Sequence, residues 1–121
     1  MKLLALAAGV GLAALMLASP ASAKEAYCAH TDDFCTSVKR VNGVRVLRVE
    51  TFTFTGRVKI CVKGPTGASV CHRFRLVKSG DLYEAKARWG TSYPNRGRGL
   101  YRVTFFWRST KLGPALSFRV L

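Results

Sequence analysis

Carboxylates are scarce in this chain. Its 121 residues hold only 6 Asp plus Glu against 20 Lys plus Arg, for a formal net charge of +14. No two carboxylates stand in a pair suited to glycoside hydrolysis. No G-x-S-x-G marks a nucleophile elbow, and no Gly-rich phosphate loop opens a helix. Histidine is nearly missing too, at 2 residues, and no His/Cys grouping has metal-ligand spacing. These absences lead to the expectation of a protein that is not an enzyme and holds no cofactor and no metal. Internal repeats and low-complexity segments are lacking, and the length supports one domain. A disordered polyelectrolyte is excluded as well, because 49% of the residues are hydrophobic.

Charge is absent altogether from Leu3 through Ala23. Lys2, the apolar run Leu3 to Leu17 and the A-x-A end Ala21-Ser22-Ala23 make residues 1–23 read as a secretory signal peptide. An uncleaved anchor needs roughly 20 apolar residues, a length this stretch just reaches. Its end, however, is Ser19-Pro20-Ala21-Ser22-Ala23, and small residues suit a peptidase better than a bilayer. A lipoprotein anchor does not fit, since Cys28 follows Glu25-Ala26-Tyr27. The expectation is bacterial-type export and a secreted, monomeric chain Lys24–Leu121 with no transmembrane span.

Four cysteines remain after that leader: Cys28, Cys35, Cys61 and Cys71. An even number in a small exported domain reads as two disulfides, with three connectivities open. The spacings do not match paired C-x2-C knuckles, so zinc is set aside. Nothing after residue 36 has helical periodicity. Short runs of period two alternate with Gly, Pro, Asn and Ser. Strands are expected over Val44–Glu50, continued or followed by Thr51–Thr55, and over Arg57–Lys63 and Val70–Leu76. After a turn at Lys78–Asp81, Tyr83, Ala85, Ala87 and Trp89 mark one face of the next strand. Tyr101, Val103, Phe105 and Trp107 face inward from Leu100–Arg108, as do Leu116, Phe118 and Val120 from the last strand. The fold class that follows is all-β, an antiparallel β-sandwich of six to seven strands, with a small barrel as runner-up.

Arg57–Leu76 is the most informative stretch. If Cys61 pairs with Cys71 across a hairpin, Val62 faces Val70, Ile60 faces His72 and Val58 faces Phe74 on one side. The other side then carries Arg57 opposite Arg75 and Lys59 opposite Arg73, with Lys63 beside the disulfide. Both alternations agree with that register, which supports the pairing independently. Closing so short a loop stabilises by about 3 kcal/mol in the entropic picture. Cys28 and Cys35 are left to close a tight loop around Ala29–Phe34.

A C-x9-C hairpin, Cys61 to Cys71, and a final strand with Gly113, Pro114, Ser117 and Phe118 resemble bacterial immunoglobulin-like sandwiches. The likeness is to the actinobacterial apo-chromoproteins of the neocarzinostatin type. It implies the sandwich architecture and covers those two segments only. Those proteins are acidic and have their second disulfide later in the chain, so no ligand-site residue is carried over.

His30, Asp32 and Asp33 read as solvated loop residues, and His72 as a core or rim histidine. Tyr83, Trp89, Tyr101, Phe105 and Trp107 read as core. Phe106 points outward, and Tyr93 is expected to be exposed in the Gly90–Gly99 loop beside Arg96 and Arg98. Arg57, Lys59, Lys63, Arg73, Arg75, Arg96 and Arg98 are therefore the candidate anion-binding residues, with Lys24, Lys39, Lys78 and Lys111 expected to lie elsewhere. Twelve Arg against seven Lys after residue 23 favour phosphate or carboxylate recognition. The partner expected is a polyanion: a cell-wall polymer, anionic lipid, nucleic acid or acidic protein. The alternative is a structural or interaction domain, an inhibitor or small-molecule carrier, whose charge is incidental. The exported chain is predicted to start at Lys24 and to contain no free thiol. Intact mass and non-reducing peptide mapping check this, and a Cys35–Cys61 peptide would overturn both the connectivity and the register.

Overall fold

The computed structural model describes residues 24–121; the predicted leader, residues 1–23, lies outside them. Eleven strands run through this segment: β1 Ala26–Cys28, β2 Phe34–Ser37, β3 Arg40–Val41, β4 Val44–Thr51, β5 Arg57–Lys63, β6 Val70–Arg75, β7 Val77–Ser79, β8 Leu82–Arg88, β9 Gly99–Trp107, β10 Thr110–Lys111 and β11 Leu116–Val120. The count exceeds the expected six to seven because alternation over two to four residues carries no readable period. The six strands of five or more residues are those expected from alternation. Among the described residues no helix is long and apolar enough to cross a membrane.

All pairings are antiparallel, in two sheets. One has the order β1-β2-β4-β8-β7, with β3 also on β4; the other has the order β10-β9-β5-β6, with β11 also on β9. Both inner faces contribute to one apolar core. Leu47, Val49, Ala85 and Ala87 come from the first sheet, and Val58, Ile60, Tyr101, Val103, Phe105, Leu116 and Phe118 from the second. Trp89 joins them edge-on against Tyr101 and Phe118. Arg45 has the inward parity of Leu47, and its guanidinium lies 4.8 Å over the Phe118 ring. Glu25 Oε2 and the Val38 carbonyl accept its hydrogen bonds, which satisfies a cation held at the core's edge.

Turn chemistry explains the short strands. Asn42 and Gly43 both have positive φ, 51° and 79°, as a two-residue type I′ hairpin requires; this Asn-Gly turn makes β3. Gly80 (φ 63°) begins the two-residue turn that pairs β7 with β8, so Lys78 and Ser79 belong to a strand and not to the expected turn. Thr51 ends β4, and Phe52–Gly56 cross to the other sheet instead of extending the strand. Phe54 packs 4.7 Å from Trp107, whose Nε1 donates to the Thr55 carbonyl. Cys28 and Cys35 are bonded as expected, and the tight loop between them is the tip of a hairpin joining β1 and β2. Tyr27 anchors that hairpin against Gly113, where a Cβ would stand 2.5 Å from the ring.

Tyr93 corrects a sequence expectation. It is 2% exposed, and its hydroxyl donates to the Ile60 carbonyl at 2.6 Å. Its ring lies under β6, 5.1 Å from His72 and 6.3 Å from Phe74. The edge strand β6 needs an apolar cover on its inner side, and the loop supplies this tyrosine. His72 has inward parity yet is exposed, because it stands on that edge. Burial pushes the Tyr93 phenol well above its ordinary pKa, a rise partly offset by a hydrogen bond with the His72 backbone. Below about pH 10 the phenol is protonated in both folded and unfolded chains. At higher pH the unfolded chain releases this proton and the folded one keeps it, so stability falls as pH rises. Between about pH 10 and 12, unfolding free energy should drop more steeply in the parent than in Tyr93→Phe. Parallel denaturation profiles would contradict the burial.

Candidate anion-binding face

The observed hairpin register is the expected one, from Arg57 opposite Arg75 through Cys61 opposite Cys71 to Val62 opposite Val70. Val58, Ile60 and Val62 are buried, so strand alternation turns Arg57, Lys59, Cys61 and Lys63 to the outer face. Their partners Arg75, Arg73 and Cys71 lie beside them. On the other flank β9 places Phe106 next to Lys59, Thr104 next to Cys61 and Arg102 next to Lys63. Lys111 pairs with Phe106 on β10, and Arg119 pairs with Leu100 on β11. Eight cations thus share the outer face of the five-stranded sheet, and its strands contain no carboxylate.

All six carboxylates sit with the other sheet. Glu25 precedes β1, Asp32 and Asp33 lie in the β1–β2 turn, Glu50 is on β4, Asp81 is in the β7–β8 turn and Glu84 is on β8. The ion pairs among the described residues follow that division: Arg45–Glu25, Arg48–Glu84 and Lys86–Glu84. None includes a cation of the five-stranded sheet. Arg57 faces Arg75, Lys59 faces Arg73 and Lys63 faces Arg102 with no opposite charge between them. Each such pair costs about a few tenths of a kcal/mol, lowered by water and salt. Lys59 is the half-buried member; its Nζ lies 4.8 Å over the outward Phe106 ring, a contact that partly satisfies a cation among cations.

Five of the seven predicted candidates, Arg57, Lys59, Lys63, Arg73 and Arg75, meet on this face. Arg96 and Arg98 do not belong to its strands; they are exposed in the β8–β9 loop. Arg96 packs over the β5–β6 turn, where a Cβ on Gly67 would lie 2.5 Å from Nη1, and Lys63 Nζ donates to the Gly67 carbonyl. Arg96 therefore extends the face at the hairpin tip. The outward Tyr93 that was to accompany these arginines is in the core. Lys111, expected elsewhere, stands in the same row as Lys59. Arg102 and Arg119 were missed although their outward parity was readable from Tyr101, Val103, Leu116 and Phe118. Their position beside the hairpin depends on sheet order, which alternation does not reveal.

The outer face of the six-stranded sheet differs in kind. It has a shallow groove of about 430 Å³ lined by Val41, Val44, Val46, Arg48, Lys86 and Arg88 among others, and two of those cations are paired with Glu84. Among the described residues no group of three or more His, Cys, Asp and Glu could hold a metal ion. No family model, no curated protein and no solved structure matches the chain.

Proposed function

We propose that this chain is a small secreted bacterial protein that binds a polyanion, without catalysis, through the outer face of its five-stranded sheet. The observation that carries the reading is the segregation of charge: eight cations on one sheet face whose strands hold no carboxylate. A solvated face selected only for solubility would mix its signs, as the other sheet does, because opposed like charges cost stability. A ligand anion removes that cost on binding.

The scaffold in this reading is an immunoglobulin-like sandwich. Lettered in chain order from β2, and omitting β3 and β10, the strands give A-B-E-D in one sheet and G-F-C-C′ in the other, the order of that fold. Tyr101 near the start of β9 adds a second likeness. Its hydroxyl accepts from Arg96 N and donates to the Gly97 carbonyl, both at 2.7 Å, the contact made by a tyrosine corner. Export rests on Lys2, the apolar run and Ala21-Ser22-Ala23, and two disulfides suit an oxidising compartment.

Replacing Arg57, Lys59, Arg73 and Arg75 together by Gln should remove most affinity for a single-stranded oligonucleotide used as a test polyanion. It should also reduce the slope of log affinity against log salt by about 3, at roughly 0.7 per contact. Thermal stability should hold or rise slightly as repulsion is relieved. The matched control set is Lys24, Lys39, Arg40 and Lys78, which lie outside the five-stranded sheet. Equal losses in both sets would mean that only net charge matters, which is the reading of incidental charge.

A further inference from the structure

The cations of the five-stranded sheet are not spread evenly, and their spacing points to the form of the ligand. Arg57 with Arg75, and Lys59 with Arg73 and Lys111, occupy two adjacent rows at one end. Lys63 with Arg102, then Arg119, occupy the other end. Between them runs a row without charge, the Cys61–Cys71 disulfide beside Thr104. At about 3.4 Å per strand residue, the Lys59 and Lys63 rows stand roughly 14 Å apart and the Arg57 and Lys63 rows roughly 20 Å apart. A small anion reaches one cluster only. Bridging the two takes a chain of anions about 14 Å long, and one of about 20 Å reaches from the Arg57 row to the Lys63 row.

The same face argues against nucleic acid and against a bilayer. Single-stranded nucleic acid is held by aromatic side chains on which bases stack. The aromatic ring on these outer positions is Phe106, and Lys59 covers it. Tyr93, Tyr101 and Phe105 are buried. The face offers charge and no stacking platform. Nor does it offer an apolar wedge for a bilayer: its exposed large hydrophobic residue is Leu100, 37% exposed and at the far end beside Arg119.

Resting on the polyanion reading above, we propose that the ligand is a linear phosphodiester polymer without bases, of the polyol-phosphate kind, bridging the two cation clusters across the neutral disulfide row. Each cluster holds one stretch of phosphates, and engagement of the first raises the local concentration of the second. Poly(glycerol phosphate) oligomers of graded length test this by titration calorimetry against the parent chain. Two variants complete the set, Arg57→Gln/Lys59→Gln/Arg73→Gln/Arg75→Gln and Lys63→Gln/Arg102→Gln/Arg119→Gln. The parent should show a step of about 100-fold in affinity once the oligomer exceeds roughly 14 Å, the gap between the clusters. Each variant should lose the step and keep the binding of short oligomers by its intact cluster. A smooth rise with length, equal in all three proteins, would overturn the two-cluster arrangement and leave polyanion binding standing. Tighter binding of a base-bearing oligonucleotide of equal charge would overturn the choice of polymer. No binding of any polyanion would overturn the underlying function itself.

Discussion

The β5–β6 pairing is the constraint from which the rest of the molecule follows. With Cys61 bonded to Cys71 and Ile60 opposite His72, every second residue of β5 is committed to the core and the others to solvent. A slip of one residue would bury Arg57, Lys59 and Lys63 and expose Val58, Ile60 and Val62. Burying unpaired cations is far more costly than any loss in the turn, so a one-residue slip is excluded, and the disulfide holds the chain against a two-residue one. The disulfide restricts the unfolded chain, and its larger effect is to hold that register at a sheet edge where β6 has no further strand to pair with.

Given the register, the charge pattern becomes a property of the fold. Strand β9 lies against β5 on the side away from β6, and its outward residues extend the hairpin's cationic rows through Arg102. The carboxylates fall on β4, β8 and the turns around β1 and β7, where Glu84 pairs with Arg48 and Lys86. One sheet therefore pairs part of its charge internally, and the strands of the other hold no carboxylate to pair with. The aromatic residues serve the interior: Trp89, Tyr101 and Phe118 close one cluster, and Phe34, Phe54 and Trp107 another. With most aromatics inside, the cationic face presents long basic side chains, the disulfide beside Thr104, Phe106 under Lys59, and Leu100 at its far end.

Long alternating runs made most of this legible in the sequence. Val58-Lys59-Ile60 and Tyr101-Arg102-Val103 each announce which side is inside, and the two faces of Arg57–Leu76 agree with the register that joins Cys61 to Cys71. What stayed hidden was of two kinds. The N-terminal hairpin, β3, β7 and β10 are too short for a period to show, although Asn42-Gly43 carried the turn signal that makes β3. Tyr93 was read as a loop residue among Gly, Pro and Arg. Its burial follows from the bare inner side of β6, which exists only once the sheets are assembled. Arg102, Lys111 and Arg119 belong with the hairpin through sheet order, a long-range fact. The absence of any carboxylate after Glu84 was open to inspection and is the one-dimensional trace of the same partition.

On the proposed reading a polyanion meets the five-stranded sheet and not the molecule's charge at large. Backbone amide shifts of the isotope-labelled chain, titrated with poly(glycerol phosphate) at about 0.15 M salt where exposed charges farther apart than roughly 8 Å are screened, test this directly. Saturable shifts are expected in β5, β6, β9, β10 and β11 alone, with β4 and β8 unmoved. Shifts of equal size around Arg48, Lys86 and Arg88 would contradict it.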